Sequence, residues 1–383
     1  MTAVAEQGES VSKSGDGLVG RIPVRNLWLL MLYASELFRV KGKALAGWEE
    51  SPDDLPDLIA RFLAEAVELR QRRNLSFGYR RRDAILHRVR GRINLLSTER
   101  QQLLERGLIA CHFNELTVDT PRNRYVLAAL ESISRMVSQE VAHKCRTLAR
   151  AMKAMGVSSG SVNRSQMSLE QFGRNDAQDK VMVIAARLAF EFALLNEAAG
   201  IHTLPSPDRE ERLIRDLFEK AVGGFYRVAL SPDGWCVQQG KWLDWQIDKQ
   251  TPGIAKILQK MKTDIELNHQ PSSRRIVIDT KFASILTKGR SFQNYQDREV
   301  IRNSYLFQIY AYLHSQIGRG DLLADNASGL VLHPSIGEMV DETVVIQGRA
   351  IRFATVDLTA EPKEIREQLL RLCEAFSLNK LLS

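Results

Sequence analysis

Apolar residues at Leu27, Leu30, Met31 and Ala34 recur at helical spacing behind Pro23, so residues 24–38 are predicted to form an amphipathic helix. A second stripe, Leu58, Phe62, Ala66 and Leu69, predicts a helix over 54–72. Residues 75–93 mix β-formers with arginines and read as strands or a hairpin, and 94–112 as helix then strand. Thr120-Pro121 starts a helix extending to about residue 155. Residues 179–199 are predicted to form a helix, and its stretch 181–195 is apolar except for Arg187 and Glu191, which sit four apart and can pair on one face. From residue 207 the pattern changes. A helix over 208–222 should stop at Gly223-Gly224, followed by β-like runs at 226–230, 235–237, 262–267 and 275–279. A helix over 299–316, β-runs at 328–333, 343–346 and 352–357, and a helix over 363–376 complete the chain. This is an α/β organisation. The Gly/Ser-rich residues 1–20 read as a disordered tail and GVSSGSVNRS (156–165) as a linker, which predicts domains over 21–175 and 176–383.

Composition narrows the class. A chain of 383 residues that is 44% hydrophobic and 26% charged is expected to fold into about two globular domains. Its longest apolar run, residues 27–34, is about half what a bilayer-spanning helix needs. The N-terminus has no basic start followed by an apolar stretch, so no secretory signal is read there. Cys111, Cys145, Cys236 and Cys373 are far apart, and the histidines show neither HxxxH nor HExxH spacing. A zinc framework and a disulfide scaffold are therefore not expected, and a reducing cytoplasm fits best. The basic excess is confined to one half: residues 1–175 hold 27 Lys+Arg against 19 Asp+Glu, a balance of +8 within the overall +7. Nine arginines between Arg70 and Arg92 face one acid, Asp83, a density that attracts polyanions.

Candidate chemistry lies in the other half. Gly15, Gly17 and Gly20 spell GxGxxG with no strand before them. Gly234 to Lys241 misses the phosphate-loop spacing and has Trp242 where a magnesium-binding hydroxyl belongs, so no nucleotide triphosphate site is expected. Asp264 lies in a short β-like run. The apolar run 276–278 leads into Asp279-x-Lys281, and residues two apart on a strand project from one face. Adjacent hairpin strands would set Asp264 beside Asp279, converging two carboxylates and a lysine. Such oxygen donors suit Mg²⁺ and phosphodiester hydrolysis, with the lysine placed to position water and neutralise developing charge. Glu219, on the preceding helix, is placed to add a carboxylate. Gln308 and Tyr312, four apart on the following helix, share a face and could steady the strand or touch DNA.

Glu219, Asp264, Asp279-x-Lys281 and Gln308-x-x-x-Tyr312 together resemble the PD-(D/E)xK nucleases of the RecB-like branch. With residues 22–34, Arg90-Gly91-Arg92-Ile93, 111–130 and 215–227, most of the chain from residue 21 onward is similar to McrC-type subunits of modification-dependent restriction systems. One departure is Thr263, where the superfamily has proline. The resemblance implies an N-terminal mixed α/β partner-binding domain followed by a restriction-endonuclease-like domain with a central mixed sheet flanked by helices. It further implies a Mg²⁺-dependent endonuclease acting on double-stranded, methylated DNA in antiviral defence. Asp264, Asp279 and Glu219 would hold metal, and Lys281, Gln308 and Tyr312 would support the chemistry. A McrB-like AAA+ GTPase hexamer is the implied partner, engaged through residues 21–175. A stand-alone RecB-like nuclease and a non-catalytic activator of an AAA+ motor remain the alternatives.

Overall fold

The structure, a computed structural model, describes residues 18–19, 22–45, 54–159, 167, 172–173, 176–200, 207–281, 286–290, 297–335 and 339–374. Apart from 18–19, the expected tail lies outside the described residues, as does most of the expected linker. The chain divides into two compact units, one of Met1–Leu55 with Leu194–Ser383 and one of Pro56–Ala193. This division differs from the expected boundary at 175/176, because the N-terminal helices pack with the C-terminal half.

Strands β1 (Leu18–Val19) and β2 (Ile22–Pro23) pair antiparallel and lead into α1 (Val24–Ala34). The helix expected to reach residue 38 instead breaks at Ser35, whose backbone is extended (ψ 150°). The Ser35 hydroxyl donates to Leu32 O at 2.6 Å and accepts from Phe38 N at 3.1 Å. One serine thus ends α1 and caps α2 (Glu36–Leu45). Leu27, Trp28, Leu29, Leu30, Leu32 and Tyr33 are all buried, so α1 is apolar nearly all round and lies in a core.

Within the 56–193 unit, α3 (Leu55–Gln71) buries Leu58, Ile59, Leu63 and Val67, while Leu69 is 47% exposed. The expected stripe is therefore rotated along the helix. Strands β3 (Gly78–Leu86) and β4 (Arg92–Ile93) do not pair with each other as a hairpin. Both pair antiparallel with β5 (Ile109–Thr117), with α4 (Leu95–Arg100) in the connection. The expected long helix is two, α5 (Pro121–Ile133) and α6 (Gln139–Ala154). Thr120 caps α5 by accepting from Asn123 N at 3.2 Å, with Pro121 in the first turn. Asp57 accepts from Ser138 N at 2.8 Å, anchoring the start of α6. Residues 156–158 are docked: Val157 is buried and Ser158 N donates to Asp119 at 2.9 Å. Helix α7 (Ala177–Gly200) runs across the boundary between the units. Its Arg187 donates to Met167 O at 3.2 Å.

In the other unit, α8 (Pro207–Ala229) runs straight through Gly223-Gly224 and absorbs most of the expected strand at 226–230. The reason is packing. A Cβ on Gly224 would lie 2.0 Å from Tyr33 O of α1, and one on Gly223 would meet the Gln239 side chain. Gly224 admits a neighbouring backbone and Gly223 a side chain, where sequence logic reads a helix stop. Gly224→Ala gains about 1 kcal/mol of helix propensity. Overpacking against a main-chain carbonyl costs about 3 kcal/mol. Net destabilisation in urea denaturation is the expected result.

A six-stranded mixed sheet follows, in the order β14-β15-β13-β10-β9-β6. Strands β6 (Cys236–Gln239), β9 (Ile265–His269) and β10 (Arg274–Thr280) pair antiparallel in turn. A small pair, β7 (Trp242–Leu243) and β8 (Met261–Lys262), lies between the first two in sequence. After β10 come β11 (Leu286–Arg290) and β12 (Asp297–Ile301), so α9 starts only at Asn303 (Asn303–His314) instead of 299. Short α10 (Leu322–Asp325) precedes β13 (Ala327–Ser335), which runs parallel to β10. Strand β15 (Arg349–Asp357) lies parallel to β13, with β14 (Asp341–Ile346) antiparallel at the edge. Val277, Val331, Ile351 and Phe353 pack with Ile309, Tyr312 and Leu313 of α9. Tyr226 of α8 donates to Leu369 O of α11 (Pro362–Glu374) at 2.8 Å. Among the described residues, no helix is long and apolar enough to cross a membrane.

Candidate active site

The β9–β10 hairpin brings the two aspartates together. Its register pairs Ile265 with Ile278, so the next residues outward are Asp264 and Asp279. Asp264 Oδ2 accepts from both Thr280 N (2.7 Å) and Thr280 Oγ1 (2.9 Å), which fixes the carboxylate against the end of β10. Thr263, the departure from the nuclease pattern, is fully buried, and its N–H donates to Lys241 O at 2.9 Å. Proline has no such donor, so threonine here gains a backbone tie at the turn.

Asp279 is fully buried. Its Oδ1 accepts from Lys281 Nζ at 2.9 Å; Oδ2 lies equally close to the ammonium but receives no directed hydrogen bond. Burial pushes this carboxyl up to about 6, against the pull of Lys281 and with the help of charges on Asp264 and Glu219. Glu219, half-buried on α8, is raised by burial and then by Asp264. The carboxylates therefore repel one another, with Lys281 paired to Asp279 and Lys262 nearer to Glu219.

Helix α9 supports this end of the sheet. Gln308 Nε2 donates to Tyr312 Oη at 2.6 Å, and Tyr312 Oη donates to Lys262 O at 2.7 Å, two residues before Asp264. Burial, reinforced by Asp279 and Asp264, pushes the phenol up to about 12 although Gln308 opposes it. The phenol stays protonated and keeps donating. These bonds tie α9 to the backbone beside Asp264. Tyr312→Phe should cost about 1–3 kcal/mol by stranding the Lys262 carbonyl, read by denaturant unfolding.

Glu266 and Lys241 adjoin this cluster although no motif in the sequence assigns them to it. Glu266, fully buried two residues from Asp264, pairs with Lys241 Nζ at 2.8 Å and lies 3.7 Å from Arg275 Nε. Strand alternation was the available signal: Asp264-x-Glu266 mirrors Asp279-x-Lys281 on the adjoining strand.

Among the described residues, no group of three or more His, Cys, Asp or Glu is placed to hold a metal ion by itself. The donor set is two aspartates flanked by Glu219. That set fits Mg²⁺, which is commonly held by one or two carboxylates plus waters and substrate phosphates. The repulsion that raises Asp279 is what a dication would relieve.

No curated protein matches the chain. One similar solved structure is a chain of the half-complex from a tetradecameric assembly of Thermococcus gammatolerans McrB AAA+ hexamers with bound McrC. It is 15% identical, with a TM-score of 0.42 over 91% of this chain and 76% of that one. Another is a chain of the Thermococcus gammatolerans McrBC complex, 16% identical, with a TM-score of 0.33 over 46% of this chain and 57% of that one. The family model of the McrBC 5-methylcytosine restriction system component matches residues 5–185, a span that ends before Glu219. Residues 5–185 of this chain thus match the family of the McrBC 5-methylcytosine restriction system component.

Proposed function

We propose that the chain is the DNA-cutting subunit of a McrBC-like, modification-dependent restriction system, a Mg²⁺-dependent endonuclease that works with a McrB-like AAA+ GTPase. The observation that carries this reading is the meeting of Asp264, Asp279 and Lys281 at one sheet end, where the carboxylates repel each other and Lys281 pairs with Asp279. Asp264 and Asp279 would hold Mg²⁺, with Glu219 at their flank. The ion, when bound, supplies an acidified water and charge stabilisation at phosphorus.

The chain's own groups do the rest. Thr280 and the Tyr312–Lys262 bond hold the carboxylates' strands in register. Lys281 is placed to orient a water or to offset charge on the transferring phosphate. Lys281→Ala should cost on the order of 10²–10³ in cleavage rate while leaving the fold intact.

The partner reading rests on the family match over residues 5–185 and on the 56–193 unit. Arg80, Arg81 and Arg82 stand exposed on β3, and Arg90 lies over the Phe113 ring at 4.2 Å. This basic face suits the GTPase or the DNA it moves. The test is cleavage of methylated and unmethylated plasmid by this chain, with and without a McrB-like GTPase and GTP. Cutting only of methylated DNA, and only with partner and GTP, is the expected result. Robust cutting by the chain alone in Mg²⁺ would make it a stand-alone nuclease. Stimulated GTP hydrolysis with no cutting would make it an activator.

A further inference from the structure

Beside the carboxylates lies a cavity of about 950 Å³ that the chemistry above does not use. Trp242, Trp245, Lys260, Lys262, Gln308 and Tyr312 are among its lining residues. The two indoles are unusually open, with Trp242 62% and Trp245 38% exposed. Trp245 Nε1 donates to Gln259 O at 2.9 Å, which holds that ring in place. Lys262 Nζ sits 5.6 Å from the Trp242 ring centroid. Gln308 and Tyr312 are shared walls: they line the cavity and also tie down Lys262, two residues from Asp264.

We infer that this cavity receives an unstacked nucleobase of the DNA strand entering the Asp264–Asp279 site. The chemistry of the lining selects that occupant. Indole faces offer a stacking platform, and every nucleobase has a π-face to lay on one. Lys260 and Lys262 supply positive charge for the flanking phosphates, Lys260 also pairing with Asp244 at 2.9 Å. A base inside a duplex has both faces covered by its neighbours, so only a base taken out of the stack can lie on Trp242. The volume lies within the range of pockets that enclose small ligands, roughly 300–1,000 Å³. The cavity thus deepens the nuclease reading and rests on it for the identity of the strand.

The experiment is fluorescence anisotropy of labelled oligothymidylate and of an abasic strand of equal length, titrated with the full chain in EDTA at fixed salt. Wild type should bind the thymidylate about 5- to 150-fold more tightly than the abasic strand, the range expected for stacking one base. Trp242→Leu with Trp245→Leu should erase that ratio, and Trp242→Phe, which keeps a ring, should retain most of it. Equal binding of the two strands by wild type overturns the inference, as does a full ratio in the double leucine variant. Equally tight binding of intact blunt duplex through the tryptophans overturns the requirement for an unstacked base. If the leucine variant fails to fold, the wild-type ratio and Trp242→Phe still decide. Cleavage in Mg²⁺ is scored separately. A chain that prefers thymidylate but never cuts keeps the cavity's role and loses the nuclease assignment; one that cuts without base preference does the reverse.

Discussion

Asp279→Asn is expected to abolish Mg²⁺-dependent DNA cleavage while making the metal-free chain more stable above pH 6. The first effect follows from removing a charge from the group best placed to hold a dication. A loss of 10² or more in rate is the expected order. The second follows from linkage. The Asp279 carboxyl sits at about 6 in the folded chain because burial, Asp264 and Glu219 disfavour its charge. Unfolded, it would titrate near about 3.9. Below that pH both states are protonated and nothing is lost. Between about 4 and 6 the unfolded state ionises first, so wild-type stability falls as pH rises. Above 6 the full cost is present, about 3 kcal/mol for roughly two units. Asparagine does not titrate, so the stability difference between variant and wild type should grow by about that amount from pH 4 to pH 8. Mg²⁺ should raise the melting temperature of wild type but not of the variant. A pH-independent difference would remove the buried charge from the account.

Deleting residues 1–45 is expected to unfold the unit that carries Asp264 and Asp279, although none of the deleted residues belongs to the site. Trp28, Leu29 and Tyr33 are buried, and the Tyr33 and Phe225 rings lie 5.1 Å apart. Trp28→Ala alone should cost about 3–5 kcal/mol, a large part of the total stability of an ordinary domain. A fragment of residues 194–383 should therefore show no cooperative melt, whereas 56–193 should melt in one transition. A cooperative melt of 194–383 equal to that of the full chain would refute the dependence. For partner binding, the fragment to test is 56–193 rather than 21–175, because the longer piece carries α1 without α8.

The sheet and the candidate site were largely legible because alternation and carboxylate spacing are local signals. The runs at 275–279, 328–333 and 352–357 became β10, β13 and β15, and the order Asp264, Asp279, Lys281 survived as one cluster. What was not legible depended on distant partners. Gly223-Gly224 reads as a stop until Tyr33 O is seen against it. Ser35 ends one helix and begins another through a single hydroxyl, in a stretch whose apolar periodicity never falters. The stripe on α3 was misplaced because Ile59, Leu63 and Val67 compete with Phe62 and Leu69 for the same core, and periodicity does not rank them. Tryptophans at 242 and 245 gave no warning that they line a cavity, since nothing in their neighbourhood is periodic.

Asn26, buried on α1, donates to Leu358 O at 2.7 Å across 332 positions of chain, and to Ala360 O at 3.0 Å. A ribosome adding about 5–20 residues per second needs about 20–60 s to cover that distance. Throughout that interval the first helix has been made and its partners have not. The 56–193 unit, whose strands β3, β4 and β5 pair with one another, can mature while synthesis continues. The unit that carries Asp264 and Asp279 cannot close until residues 358–360 have emerged. A product truncated before residue 358 would therefore carry the basic face without a finished Asp264–Asp279 site.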